Sequence, residues 1–204
     1  MKKEKWILAS GSPRRIEMFE RHGIDVAVMP ADVEETLREG IKATDAVMFL
    51  ALKKALYTER KLLEGKNGEY AEYFREGPPL IIAADTVVAY RDEILGKPAT
   101  HEEAYEMLSE LNGQTHYVAT GVALVKAGTF YKKVFYDRSD VEFVRYSEEE
   151  LREYVESGEP MDKAGGYAIQ GTFGKYVKEY RGSKANIIGF PWERFEEEMG
   201  AGSE

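Results

Sequence analysis

Two long stretches of alternating apolar and polar residues, Thr115–Lys126 and Thr129–Val144, meet at Ala127-Gly128 and read as the strands of one antiparallel hairpin. That hairpin constrains the fold because the rest of the chain alternates strands with helices. Strand–helix units alone build a parallel sheet; a hairpin set among them brings antiparallel pairing into it. The expected class is α/β with a mixed sheet flanked by helices. Strands are expected at Lys5–Ala9, Asp25–Met29 and Leu80–Tyr90. One helix is expected over Pro13–His22, stopped by Gly23, and another over Asp45–Leu63, capped by Thr44. Capping boxes at Thr100–Glu103 and Ser147–Glu150 open two more, ending near Asn112-Gly113 and at Gly158, and Pro191 opens the last. Short strands are expected near Tyr167–Gln170, Lys175–Lys178 and Asn186–Ile188. The polar segment Tyr57–Pro79 reads as a helix extension and surface loop, and Gly200–Glu204 as a frayed end. There is no internal repeat.

A chain of 204 residues is enough for one domain, or one core with a smaller lobe. The net charge of −9 argues against broad non-specific binding to DNA, which relies on a basic surface, but not against a nucleotide pocket with its own local field. There are no cysteines, so disulfides and thiolate metal sites are excluded. The apolar run Trp6–Ala9 is too short for a signal peptide, and no stretch approaches the roughly 18 apolar residues of a membrane span. A soluble cytoplasmic protein is the expectation.

The segment Ile7-Leu8-Ala9-Ser10-Gly11-Ser12-Pro13-Arg14-Arg15 carries chemistry. Ser12 suits a helix N-cap, and Pro13 suits the first helical position. Two arginines in the first turn oppose the positive end of the helix dipole, each at about 0.3–1 kcal/mol. Helix N–H groups, a hydroxyl and two guanidinium groups make a phosphate site. The bland alternative is that both arginines pair with Glu17 or Glu20 in solvent.

Asp85 lies inside the apolar run Leu80–Val88. A carboxylate buried there has to be paired, metal-bound or at an open strand end; a turn aspartate is the structural alternative. Lys54 falls on or beside the apolar stripe of Val47, Leu50 and Ala51, but periodicity alone does not separate it from Lys53. Lys97, in Gly96-Lys97-Pro98, follows a turn on the same side of the chain as Asp85. Glu34 and Glu35 offer oxygen ligands for Mg²⁺ or Mn²⁺, although acidic loops are usually solvated. Gln170, closing the Gly-rich segment Asp162–Gly171, sets a donor beside an acceptor and so matches a nucleobase edge without choosing among bases. His22, His101 and His116 are scattered and read as structural or exposed.

Together these pieces resemble the Maf family of nucleoside triphosphate pyrophosphatases. The resemblance runs from about Ile7 to Phe195. It rests on Ser10-Gly-Ser-Pro-Arg-Arg15, Val33-Glu-Glu-Thr36, Lys54-Ala55, Ala84-Asp-Thr-Val-Val88, Gly96-Lys-Pro98, Leu111-Asn-Gly-Gln-Thr-His116, the segment Ser157–Gly171 and Asn186-Ile-Ile-Gly-Phe-Pro191. Each motif is weak alone, and in this order they are specific. The resemblance implies a fold like that of the inosine triphosphate pyrophosphatases: a twisted mixed sheet in a single domain, residues 1–204, with two lobes around a central cleft. It implies that Asp85 is the catalytic carboxylate, that Ser10, Arg14, Arg15, Lys54 and Lys97 line the triphosphate site, and that Glu35 with Asp85 holds a divalent cation, Mg²⁺ or Mn²⁺. Lys54 rather than Lys53 matches the family pattern. Arg14, Thr86 and Gln170 match the positions marking the subgroup that acts on dTTP and UTP. A homodimer is implied, with no membrane or stable nucleic-acid partner. The connection from Lys54 to Asp85 is longer than in typical bacterial relatives and is expected to be a surface excursion.

The implied activity is hydrolysis of dTTP, UTP or modified pyrimidine triphosphates to the monophosphate and pyrophosphate. A different class of reading is a nucleotide-binding regulator of cell division or septum formation without turnover. Asp85, Glu35 and Lys97 together favour catalysis, because a binding module has no need of an ionised carboxylate beside a triphosphate. A purine-directed house-cleaning enzyme is a third reading, and Gln170 counts against it.

Overall fold

The computed structural model describes residues 4–200. The regular elements are β1 (Trp6–Leu8), α1 (Pro13–Arg21), β2 (Ala27–Val28), α2 (Ala43–Glu64), β3 (Leu80–Tyr90), β4 (Glu93–Leu95), α3 (His101–Leu111), β5 (Thr115–Lys126), β6 (Lys132–Phe143), α4 (Glu148–Glu156), β7 (Val177–Arg181), α5 (Lys184–Ile188) and α6 (Trp192–Gly200). Seven strands form one sheet in the order β2-β1-β3-β5-β6-β7, with β4 paired to β3. β1 runs parallel to β2 and β3, whereas β4 and β7 run antiparallel to β3 and β6. The sheet is mixed, as expected from one hairpin set among strand–helix units. β3 lies inside the sheet, which is why its sequence is a nearly unbroken apolar run rather than an alternation.

The chain divides into two compact units. One comprises Met1–Arg38, Asp45–Asp85 and Gly121–Tyr136; the other comprises Glu39–Thr44, Thr86–Thr120 and Asp137–Glu204. Each has its own apolar core.

In the first unit, Ile7, Ala9, Ile81, Ala83, Ala123 and Val125 of the sheet pack with Ala51, Ala55 and Leu62 of α2. The small residues on α2 allow it to lie close to the sheet. The closest approach is at Gly121, where a Cβ would sit 2.4 Å from the Val47 carbonyl carbon and 2.6 Å from the Met48 nitrogen. Only glycine fits there. The residues that face the core recur three and four apart along α2, at Val47, Leu50, Ala51, Ala55, Thr58 and Leu62. The helix starts at Ala43, so Thr44 is its second residue and not its cap. The segment after α2 is more than a loop. A 3₁₀ turn at Ala71–Phe74 brings Tyr70, Tyr73 and Phe74 back against the first core.

In the second unit, Phe143, Tyr146, Tyr154, Tyr167, Phe173 and Tyr176 form a continuous aromatic cluster with α3 and α4. The Ser147–Glu150 capping box is complete. At α3 the Thr100 hydroxyl accepts from the Glu103 N–H, but the Glu103 carboxylate reaches the Ala99 N–H instead of the cap's own. Two expected short strands are corrected. Residues 167–170 form a coil and turn, and residues 186–188 lie in α5, which Ser183 caps by accepting from the Asn186 N–H. Short apolar runs do not distinguish helix from strand, and here the cap and Gly189 settle the matter. The strand expected near 175–178 is β7, displaced to Val177–Arg181. Residues 201–204 of the expected frayed end lie outside the described residues. No helix among the described residues is long and apolar enough to cross a membrane.

Candidate active site

The turn from β1 into α1 positions the first group. Ser12 sits at the N-cap, but its side chain accepts no capping bond. Ser10, buried just before the turn, accepts at its Oγ from the Ser12 N–H at 3.3 Å and from Arg15 Nη1 at 3.2 Å, so it ties the turn to the first arginine-bearing turn of the helix. Pro13 opens the helix and no acidic residue occupies its first turn. Glu17, one of the two carboxylates offered as a solvent partner for these arginines, pairs with Arg21 one helical turn on at 3.3 Å. Arg15 is held in the field of Asp85 and Glu35. Burial pulls its guanidinium below the ordinary range, Asp85 opposes this, and the neighbouring Arg14 charge adds to the depression. The half-buried Arg14 therefore shares the local field of Arg15.

Asp85 projects from the middle of β3, not from a turn or a strand end. Its carboxylate is paired: Lys54 Nζ donates to Asp85 Oδ1 at 2.6 Å. The same Nζ lies 2.7 Å from Glu35 Oε1. The Lys54 and Asp85 side chains are 12% and 9% exposed, against 56% for Glu35. Burial pushes the Asp85 carboxyl above the usual carboxylate range, and the charge and hydrogen bond of Lys54, with Arg15, pull it back. The structure separates Lys54 from Lys53, which periodicity left open, and Glu35 from Glu34. Lys53 turns away to donate to the Glu34 carbonyl at 2.5 Å, and Glu34 accepts from Thr36, so Lys54 and Glu35 are the residues that join Asp85.

The first unit thus brings together Ser10, Arg15, Glu35, Lys54 and Asp85. Two carboxylates converge on one cationic nitrogen, and Arg15 adds a second cation. Among the described residues no three carboxylate or histidine groups gather as a self-sufficient metal site. The donor set does fit Mg²⁺ or Mn²⁺ held by one or two carboxylates together with phosphate oxygens, which is how these ions usually bind in phosphoryl-transfer sites.

The expected site residues Thr86, Lys97 and Gln170 belong to the second unit. Thr86 follows Asp85 in β3, so the two side chains take opposite faces. The Thr86 hydroxyl lies 2.9 Å from the Thr120 hydroxyl and 3.3 Å from the Gly189 carbonyl. Thr120 donates to the Asn186 carbonyl, and Asn186 Nδ2 donates to the Val118 carbonyl and to Ser139 Oγ. This buried chain fixes Thr86, and sequence reasoning missed its members. The string Asn186–Pro191 was legible only as a motif. Lys97 is exposed in the turn after β4. That turn is tied to the Gly-rich segment by the Gly165 N–H, which donates to the Gly96 carbonyl at 2.9 Å. Gly165 has φ +66°, and a Cβ there would lie 2.8 Å from the Val88 side chain, so only glycine serves. Gln170 is exposed in a turn closed by the Gly171 N–H and the Ala168 carbonyl at 3.0 Å.

Of the histidines, His22 and His101 are exposed, at the C-terminal end of α1 and at the start of α3. His116 is buried, with Nε2 2.6 Å from the Tyr167 hydroxyl.

Residues 5–201 match the family model described as Maf-like protein. Among curated relatives, a dTTP/UTP pyrophosphatase of Agathobacter rectalis is 43% identical over 196 residues, covering 95% of both chains. One of Bacillus thuringiensis subsp. konkukian is 40% identical over 195 residues, 96% of this chain and 94% of its own. One of Desulfitobacterium hafniense is 43% identical over 200 residues, 95% of this chain and 83% of its own. The family match spans the β1–α1 turn, the Lys54–Asp85–Glu35 cluster and the Gly-rich segment alike, and the chain belongs to the Maf-like protein family.

Proposed function

We propose that this protein is a nucleoside triphosphate pyrophosphatase that hydrolyses dTTP and UTP to the monophosphate and pyrophosphate. The observation that carries the reading is the buried Lys54 ammonium held between Asp85 and Glu35, with Arg15 in the same field. The relatives named dTTP/UTP pyrophosphatase, similar over nearly the whole chain, support it.

In this reading the polyanionic tail is met by Ser10, Arg14, Arg15, Lys54 and Lys97. Helix-end N–H groups and fixed cations stabilise charge on the phosphate oxygens without reorganising during reaction. Asp85 accepts the proton of the water that attacks the α-phosphorus; the P–O bond to the β-phosphate breaks and pyrophosphate leaves. A carboxyl held above its ordinary pKa is a stronger proton acceptor once ionised, and Lys54 keeps it ionised. Glu35 and Asp85 would hold Mg²⁺ or Mn²⁺, which when bound neutralises charge on the phosphate oxygens. Positioning and electrostatics carry most of the catalysis in phosphoryl transfer. Thr86, Gln170 and Arg14 are assigned to recognition of the pyrimidine nucleotide. The protein acts as one domain and as a homodimer in the cytoplasm, which light scattering on the purified protein and fractionation of cells test.

The deciding experiment incubates the protein with Mg²⁺ and a panel of canonical and modified triphosphates and measures released pyrophosphate. Pyrophosphate from UTP and dTTP is the expected product. Orthophosphate alone refutes the cleavage position, and binding without turnover favours a regulatory nucleotide-binding protein.

A further inference from the structure

The turn that carries Gln170 has no regular secondary structure to hold it, yet it is anchored on both sides by side chains with no assigned role. Three residues before Gln170, the Tyr167 ring is buried edge-on to Phe143 and His116. Its hydroxyl meets His116 Nε2 at 2.6 Å, inside the core. Burial holds His116 well below its ordinary pKa, so the imidazole is neutral and this bond is between uncharged partners. The Tyr154 hydroxyl donates to the Gly166 carbonyl at 3.0 Å, and the Gly165 N–H is used by Gly96. Two residues after Gln170, the Glu159 carboxylate accepts from the Thr172 N–H at 3.1 Å and from the Thr172 hydroxyl at 2.6 Å. Glu159 Oε1 also lies against Gly171, where a Cβ would come within 2.1 Å of it. Lys163 in turn donates to the Glu159 carbonyl at 2.5 Å, which ties the start of the Gly-rich segment to the same residue.

A glutamine amide can match several base edges by turning over, so its side chain alone does not select a pyrimidine. Selection requires that the backbone presenting the amide stay in place. We infer that the Tyr167–His116 bond and the Glu159–Thr172 clamp hold the 168–171 turn as a rigid base-reading element, making His116 and Glu159 positioning residues for base selectivity. The inference rests on the reading that Gln170 contacts the base. None of these groups acts on the phosphates in this scheme, so loosening either clamp weakens recognition of the base and leaves phosphate chemistry unchanged.

The test compares wild type with Tyr167→Phe, Glu159→Ala, Glu159→Gln and Gln170→Ala on UTP, GTP and ribose 5-triphosphate, a triphosphate without a base. Pyrophosphate release is measured, and thermal unfolding is followed in parallel. Tyr167→Phe keeps the ring in the cluster and removes only the hydroxyl, so it folds. The expected result is a KM for UTP raised about tenfold in Tyr167→Phe and Glu159→Ala, the scale of one lost hydrogen bond. The kcat stays within about twofold and the UTP-over-GTP preference narrows. Ribose 5-triphosphate is cleaved as by wild type, and Glu159→Gln recovers most of the UTP affinity. Equal losses on UTP and ribose 5-triphosphate, or no change on UTP, overturn the clamp. If Gln170→Ala alone relaxes the base preference, only the clamp fails. If Gln170→Ala leaves that preference intact, the assignment of Gln170 to the base fails, and the clamp with it.

Discussion

Lys54 and Asp85 form an ion pair at 2.6 Å with both side chains almost withdrawn from solvent, and the same ammonium lies 2.7 Å from Glu35. A pair of this kind gives little net stability when intact, because desolvation offsets most of the attraction, but is costly to break from one side. Its geometry suits a site that must hold a buried carboxylate ionised until substrate arrives.

Asp85→Asn is expected to fold and to lose turnover of UTP by a factor on the order of 10³, the range for removing a positioned proton acceptor. Steady-state pyrophosphate release and a circular-dichroism melt check this together. Near wild-type hydrolysis removes Asp85 from the mechanism.

Lys54→Met leaves the Asp85 charge buried without its direct partner. The expected cost is about 3 kcal/mol of unfolding free energy. The double variant with Asp85→Asn is expected to recover at least about 1 kcal/mol of that, since neighbouring partners couple non-additively. Urea denaturation of the wild type, both single variants and the double variant measures the coupling; additive losses contradict a direct pair.

Glu35→Gln retains one carboxylate, Asp85, for the cation. The Mg²⁺ concentration giving half-maximal rate is expected to rise about tenfold or more, with most of the rate recovered at saturating Mg²⁺. Chelation by EDTA is expected to abolish turnover reversibly. An unchanged Mg²⁺ titration in Glu35→Gln argues that Glu35 is no ligand.

His116 is buried, and that burial depresses its pKa from 6.5 to about 4, against a smaller opposing pull from Asp140. A group depressed in the folded state contributes stability above its unfolded pKa and loses it as pH falls toward the folded value. The loss is therefore expected between pH 6.5 and about 4, summing to about 3 kcal/mol. Because carboxylates also titrate in the lower part of that window, the comparison of wild type with His116→Gln belongs between pH 7 and 5. Wild type is expected to lose stability there more steeply than the variant, and parallel curves contradict a neutral buried imidazole.

Gly121→Ala places a methyl 2.4 Å from the Val47 carbonyl carbon and oxygen, backbone atoms that no rotamer change can move. It is expected to cost about 3 kcal/mol or more by forcing α2 away from β5. Because Lys54 rides on α2, the KM for UTP is expected to rise as well. Stability and kinetics within error of wild type contradict the close packing of helix on strand.

The mixed sheet was legible because its signals are local. A hairpin shows in period-two alternation, a buried strand in the run Leu80–Tyr90, and helix starts in Ser147-x-x-Glu150 and in Pro13 after Ser12. The candidate site was legible as residue types out of place: two arginines at a positive helix end, and one carboxylate inside an apolar run. Asn186–Ile188 reads as a strand from sequence because so short an apolar run carries no period, and its helical state depends on Ser183 and Gly189. Glu159 and Asn186 lie in segments legible only as motifs, and the sequence names no partner for either, because Thr172 and Thr120 meet them only in the folded chain.

By itself, the amino-acid order determined the long strands and helices and which charged residues sit in environments that penalise them, because propensity, capping and burial pattern act over a few residues; the short segments 167–170 and 186–188 escaped it. Periodicity and composition left Lys54 and Lys53, and Glu35 and Glu34, unseparated; the family resemblance pointed to Lys54 and Glu35, and the tertiary structure is what sets Lys54 between Asp85 and Glu35. Adjacent residues on a helix differ by a fraction of a turn, and which of them meets Asp85 depends on how closely α2 packs on the sheet at Gly121.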